Sequence, residues 1–346
     1  MRKKIYSKSV FIICVMVIVL GGMTGCGAKK SETDQIKIGF SIDSLVIERW
    51  QKDVKLFEEK ANELGAEVIL KNATEDNEIQ KKQVQELIDS GIDVLVVIPY
   101  DKDGLTSLIK LAKKKNIKVI AYDRLIRNAN VDIYISFDNV EVGRMMAQTL
   151  LNKKDNGNYI IINGSTIDNN SFMFNEGYKL ALDKYLKDGS INILDEKWAD
   201  DWREEVAYNC VNEAIKKNQT IDGIIAANDR LAEGAIKALS ENRVAGNVLV
   251  AGHDADLAAC QRIVEGTQLV TVYKPIKKLA EAAAQIAVSI AKGETVEADT
   301  TINDGNYEVP YKLFKPIVIT KENMQIIIDE GFHTEEQIYR NEKESN

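Results

Sequence analysis

Arg49 and Trp50 stand side by side where a short apolar run, Ile36 to Phe40, hands over to a helical pattern carried by Val54, Phe57, Ala61 and Leu64. A guanidinium offers five donors in a fixed fork and an indole offers a flat apolar face, so the pair can donate to and stack on one ligand. Residues of matching chemistry recur at Asp123-Arg124, Asp138-Asn139, Asp168-Asn169-Asn170, Trp202, Asn228-Asp229, Asp254 and Lys274. Carboxylates accept paired hydroxyl protons, Asn both donates and accepts, and Arg and Lys donate. A monosaccharide asks for this set, with hydroxyls around its ring and apolar C–H faces above and below. Each residue also has an ordinary use. Trp50 fits a core and Trp202 a surface loop, Asp168, Asn228 and Asp254 fit helix N-caps, and Asp123-Arg124 fits a structural ion pair.

The elements that must position these residues alternate regularly. Strand patterns at 36–41, 67–71, 93–98, 118–122 and 133–136 are interleaved with helical ones to about Leu64, at 79–90 and at 105–115. The run Asp93–Ile98 is nearly all apolar, as a strand covered on both faces should be. After Asp138 a second series places helices at 140–152, 172–185, 204–217, 231–239 and 257–264 between strands at 159–162, 191–194, 222–226, 248–252 and 269–273. Such βαβ repetition predicts an α/β fold of two Rossmann-like lobes with parallel sheets. The helix Ile276–Lys292 is expected to return to the first lobe and the tail Val318–Gly331 to the second. The expected division is 36–137 plus 275–310 for one lobe, 138–274 plus 311–336 for the other, and a polar tail at 337–346. Open parallel sheets bind ligands beyond the carboxyl ends of their strands, where most of the candidate residues fall.

Composition excludes other classes. The chain has 346 residues, with 45 Lys and Arg against 53 Asp and Glu and a net charge of −8, and no long run of either sign marks a nucleic-acid footprint. Residues 1–26 read as an export signal: Arg2, Lys3, Lys4 and Lys8 precede the apolar run Val10–Leu20, about eleven residues long and short of the ~20 of a membrane-spanning helix. Met23-Thr24-Gly25-Cys26 resembles a bacterial lipoprotein box, which makes Cys26 the expected lipidation site and residues 27–35 a tether. Of the other cysteines, Cys14 leaves with the signal, and Cys210 and Cys260 read as buried free thiols.

The stretches ERWQKD (48–53), DVLVVIPYD (93–101), VIAYDR (119–124), YISFDN (134–139), IDNN (167–170), AND (227–229), GHDAD (252–256), GTQLVTVYKP (266–275) and EGFH (330–333) carry a resemblance that runs from about Lys37 to His333. The sequence is similar to the sugar-binding lipoproteins of bacterial ABC importers, and within them to the D-xylose-binding branch. The resemblance implies a type I periplasmic-binding-protein fold with three hinge crossings, expected at Phe137-Asp138-Asn139, at Tyr273-Lys274-Pro275 and near Tyr307 to Phe314. It implies that Trp50 and Trp202 sandwich a sugar ring, while Arg49, Asp123, Arg124, Asp168, Asn170, Asn228, Asp254 and Lys274 bond its hydroxyls. The sequence departs from the family at His253, where Gln is usual, and at Arg230-Leu231, where small residues are usual.

An enzyme is disfavoured: the only histidines are His253 and His333, and there is no nucleophile motif, Walker loop, metal cluster or cofactor signature. A lactose-repressor-like regulator would carry a helix-turn-helix where this chain has its signal segment. The implied partners are a monosaccharide, with D-xylose foremost, the membrane through the lipid, and an ABC permease. The alternative to the permease is a membrane histidine kinase that senses ligand-dependent closure.

Overall fold

In the computed structural model, residues 35–339 are described; Cys26, the signal segment, most of the tether and residues 340–346 lie outside them. The first lobe opens with β1 (Lys37–Ile42), α1 (Glu48–Glu63), β2 (Glu67–Asn72), α2 (Asn77–Asp89), β3 (Val94–Val97), α3 (Thr106–Lys114), β4 (Lys118–Tyr122) and β5 (Ile133–Phe137). The chain then builds α4 (Asn139–Lys153), β6 (Gly157–Asn163), α5 (Asn169–Lys187), β7 (Ile191–Trp198), α6 (Glu204–Lys216), β8 (Gly223–Ala226), α7 (Asp229–Glu241), β9 (Leu249–His253), α8 (Leu257–Glu265) and β10 (Val270–Tyr273). It ends with α9 (Ile276–Ala291), β11 (Thr300–Asn303), β12 (Glu308–Phe314), β13 (Ile317–Ile319), α10 (Gln325–Asp329) and α11 (Glu335–Ile338).

Two sheets result, ordered β11-β12-β5-β4-β3-β1-β2 and β13-β10-β9-β8-β6-β7. Each is parallel except at one edge, where β11 runs antiparallel to β12 and β13 antiparallel to β10. β3 is buried along its whole length, as its unbroken VLVV requires between two helical layers. Helix α1 buries Trp50, Val54, Phe57 and Ala61 on one stripe, with Phe57 edge-on to Phe40 at 4.9 Å between ring centroids. That same stripe also buries Arg49 and Asp53, charges that a purely structural helix would turn to water.

The first two crossings between lobes fall at the expected places, after Phe137 and after Tyr273. The third does not. β12 pairs in parallel with β5 up to Phe314 opposite Phe137, so the first lobe extends past 310 and the chain crosses at Lys315-Pro316 rather than within Tyr307–Phe314. Register explains the grouping of the crossings: Phe314 lies beside Phe137, and Ile317 pairs with Tyr273. The second lobe also runs beyond 336, because Ile338 of α11 is buried in a cluster with Cys260, Ile263 and Ile327. Cys210 and Cys260 are buried free thiols. No helix among the described residues is long and apolar enough to cross a membrane.

Candidate sugar-binding site

All the candidate ligand residues line one cleft between the lobes, with an empty volume of about 350 Å³. The first lobe supplies Arg49 and Trp50 from the first turn of α1, and Asp123 and Arg124 from the end of β4. The second supplies Asp168 and Asn170 at the start of α5, Trp202 from the turn Asp200–Trp202, Asn228 after β8 and Asp254 after β9; Lys274 follows β10 at the second crossing. Asp123, Trp202 and Asp254 hold positive φ angles of 59°, 55° and 99°. Non-glycine residues occupy that region at a cost, and such strain concentrates at binding sites.

Two arginines organise the cleft. Arg49 donates from Nη1 to Asp254 Oδ1 at 3.3 Å, from Nη2 to Asp123, and from Nε to Asp53 Oδ2 at 3.2 Å. Arg124 pairs through Nη1 with Asp43 Oδ2 and through Nε with Asp168 Oδ2, both at 2.7 Å. Both guanidinium groups lie over the Trp50 ring, at 4.5 and 5.6 Å from its centroid. Asp123 and Arg124 therefore pair not with each other but with partners across the site. Asp168 and Asn228 serve as N-caps as well, accepting from Asn170 N and Leu231 N at 2.9 Å, so the structural and site readings coexist in one side chain. Asp254 caps no helix; Asp256 precedes α8.

The cleft is also lined by Ile47, Phe174 and His253, which were not among the expected ligand residues. Phe174 lies one turn beyond Asn170 on α5, a spacing that puts both on one face, and its ring sits 4.5 Å from that of His253. His253 Nε2 is 3.4 Å from Lys274 Nζ and 3.3 Å from Asp254 Oδ1. Arg230 lies outside the main cleft, beside a neighbouring cavity with Tyr100, Asp201 and Trp202.

Burial and charge set the protonation states. Burial alone would raise Asp123, but Arg49 and then Lys274 outweigh it and hold the carboxyl at about 2. Burial pushes His253 down to about 3, so the ring is neutral. Burial also lowers Lys274, against the pull of Asp123. The lining charges balance: Arg49, Arg124 and Lys274 face Asp123, Asp168 and Asp254. Such a cleft suits an uncharged polyol better than an ion, and the indole N–H groups of Trp50 and Trp202 are buried without a protein acceptor.

The cleft stands closed. Arg49–Asp254 and Arg124–Asp168 span the lobes, and at the lip Tyr100 Oη donates to Asp201 Oδ1 at 2.8 Å and Lys102 Nζ to Thr166 O at 2.6 Å. Residues 38–295 match the family model described as "Periplasmic binding protein domain". The chain belongs to this family. Its relatives include the D-xylose-binding periplasmic protein of Haemophilus influenzae, 43% identical over 326 residues covering 94% of this chain and 98% of that protein. The D-xylose-binding periplasmic protein of Escherichia coli is 44% identical over 306 residues, covering 88% and 93%. Among solved structures, an ABC transporter solute-binding protein from Clostridium phytofermentans with bound β-D-glucose superposes with a TM-score of 0.81 at 28% identity, covering 87% of this chain and 99% of that one.

Proposed function

We propose that the protein is an extracytoplasmic sugar-binding protein that captures a monosaccharide, D-xylose foremost, between its lobes and delivers it to an ABC permease. The observation that carries this reading is the convergence of two indole walls and charge-balanced hydrogen-bonding groups from both lobes on one cleft. Identity above 40% to two D-xylose-binding proteins supports D-xylose as the sugar. Hydrogen bonds to charged groups contribute roughly 1.5–3 kcal/mol each, so a few of them supply the ~8 kcal/mol of a micromolar complex after ordering costs. A misplaced hydroxyl leaves a buried Asp or Arg unpaired, which is the basis of selectivity. The sugar stabilises the closed state because it bonds to both lobes at once, and a permease that reads the closed form receives loaded protein.

The carboxylates act here as fixed acceptors, each tied to a cation or an amide, and not as acids or bases of a reaction. Diacylation of Cys26 tethers the protein to the membrane surface; mass spectrometry of the mature N-terminus tests it, and an unmodified Cys26 or cleavage elsewhere overturns it. The histidine-kinase partner has no observation of its own in its favour.

The test of the binding role is calorimetric titration of residues 27–346 with D-xylose, D-ribose, L-arabinose, D-glucose and D-galactose, alongside Trp202→Ala. Tight D-xylose binding, weakened by roughly 2 kcal/mol or more in the variant, is the expected result. Binding of none of the five sugars refutes the reading.

A further inference from the structure

Two buried carboxylates outside the main cleft touch its arginines. Asp53 is fully buried, and its two oxygens accept from Arg49 Nε at 3.2 Å and from the Tyr122 hydroxyl. Asp43, 4% exposed, accepts from Arg124 Nη1 at 2.7 Å, and the same nitrogen also lies 3.3 Å from Pro99 O. Neither aspartate lines the main cleft, although Asp43 borders the neighbouring cavity beside Arg124, Asp168 and Trp202. The hydrogen bonds of both aspartates lie within the first lobe. Among the contacts inside the cleft, Arg49–Asp123 also stays within the first lobe, whereas Arg49–Asp254 and Arg124–Asp168 reach the second lobe and must separate when the cleft opens.

From this asymmetry we infer that Asp43 and Asp53 are positioning residues: they keep Arg124 and Arg49 aimed into the cleft in the open state, which makes the first lobe the half that captures the sugar. The inference rests on the sugar-binding reading above. Its physical basis is the rotamer freedom of arginine. An unrestrained arginine loses that freedom on meeting a ligand, whereas one gripped at Nε or one Nη by a fixed carboxylate has lost it already. Arg49 is gripped four residues along the same helix, and Asp53 is itself braced by Tyr122 of β4, so the guanidinium is held from two elements of one rigid lobe. The second lobe then closes on a sugar already oriented, adding Asp254, Asp168 and Trp202.

The experiment compares wild type with Asp53→Asn, Asp43→Asn and Tyr122→Phe at pH 8, above the values of about 7 and about 6 to which burial raises Asp53 and Asp43. Xylose affinity and association rate are measured on residues 27–346, and the arginine side-chain resonances, Nε–H for Arg49 and Nη–H for Arg124, are recorded on the sugar-free protein. Each Asp→Asn change is expected to weaken binding roughly five- to ten-fold through slower association, and Tyr122→Phe to weaken it less. In the same samples the Arg49 resonance should lose its protection from solvent exchange in Asp53→Asn while the Arg124 resonance keeps its own, and the reverse should hold in Asp43→Asn. Unchanged affinity, or weaker binding with unchanged arginine resonances, overturns the inference. Should Asp53→Asn fail to fold, Asp43→Asn and Tyr122→Phe still decide it. Wild type that binds none of the five sugars would remove the sugar reading, while the resonances still report whether the aspartates hold the arginines.

Discussion

At the scale of single residues, His253 is the informative position beside the expected ligand residues. Its ring is neutral and buried between Lys274, Asp254 and Phe174. Nε2 either accepts from the Lys274 ammonium, with the proton on Nδ1, or donates to Asp254, with the proton on Nε2; in the first tautomer it gives that buried ammonium its hydrogen-bond partner. A glutamine can do the same, its carbonyl accepting from Lys274 and its amide donating to Asp254. His253→Gln is therefore expected to leave xylose affinity within about three-fold of wild type, less than the ~1 kcal/mol of a typical lost hydrogen bond. His253→Leu leaves Lys274 unsatisfied and should cost about 1–3 kcal/mol of affinity or stability. Calorimetry and thermal unfolding of the two variants separate these outcomes, and equal losses in both would refute the acceptor role.

At the scale of elements, the contact between α4 and α5 sets where Phe174 stands. Both helices approach through glycine. A Cβ on Gly143 would lie 2.1 Å from Phe174 O, and one on Gly177 would lie 2.1 Å from Val140 O, backbone atoms with no room to yield. Alanine in a helix normally gains up to about 1 kcal/mol over glycine; here the overlap outweighs that gain. Gly177→Ala is expected to destabilise the fold by about 1–3 kcal/mol net, read from chemical denaturation. Because α4 begins directly after the first crossing and α5 carries Asn170 and Phe174 into the cleft, the same change should also weaken sugar binding. Stabilisation by Gly177→Ala would show that the helices can separate freely.

At the scale of the whole molecule, stability should depend on both ligand and pH. A sugar at 100 times its dissociation constant adds about 2.7 kcal/mol to the folded state, so xylose should raise the melting temperature while a sugar that does not bind leaves it unchanged. The pH dependence comes from buried carboxyls. Burial raises Asp53 to about 7 and Asp43 to about 6. A group raised in the folded state contributes stability in full below its unfolded value and loses it as pH rises through the folded value. The neutral, buried His253, held at about 3, works the other way below its usual pKa near 6.5 but no longer above it. Between pH 6.5 and 8 the sugar-free protein should thus lose on the order of 1 kcal/mol on account of Asp53. Asp53→Asn should reduce that loss. A melting temperature that rises over this interval would contradict the assignment.

The sequence by itself determined the class of the fold and which residues line the cleft. Periodicity separates buried strands such as VLVV at 94–97 from helices with one apolar stripe, and strand ends are where an open parallel sheet must place its binding residues. Arg49, Trp50, Asp123, Arg124, Asp168, Asn170, Trp202, Asn228, Asp254 and Lys274 were legible because polar and aromatic types recur at those ends. What only the tertiary structure decided is who holds whom. Asp53 is visible in ERWQKD as an i,i+4 partner of Arg49, but its burial and its bond to Tyr122 depend on β4 packing against α1. The pairing of Arg124 with Asp43 joins residues far apart in sequence and has no local signal. Phe174 reads as an ordinary core aromatic until α5 is placed at the cleft. The third crossing was misplaced for the same reason: whether β12 ends in the first sheet is set by its ladder with β5, a long-range register that local patterning does not encode.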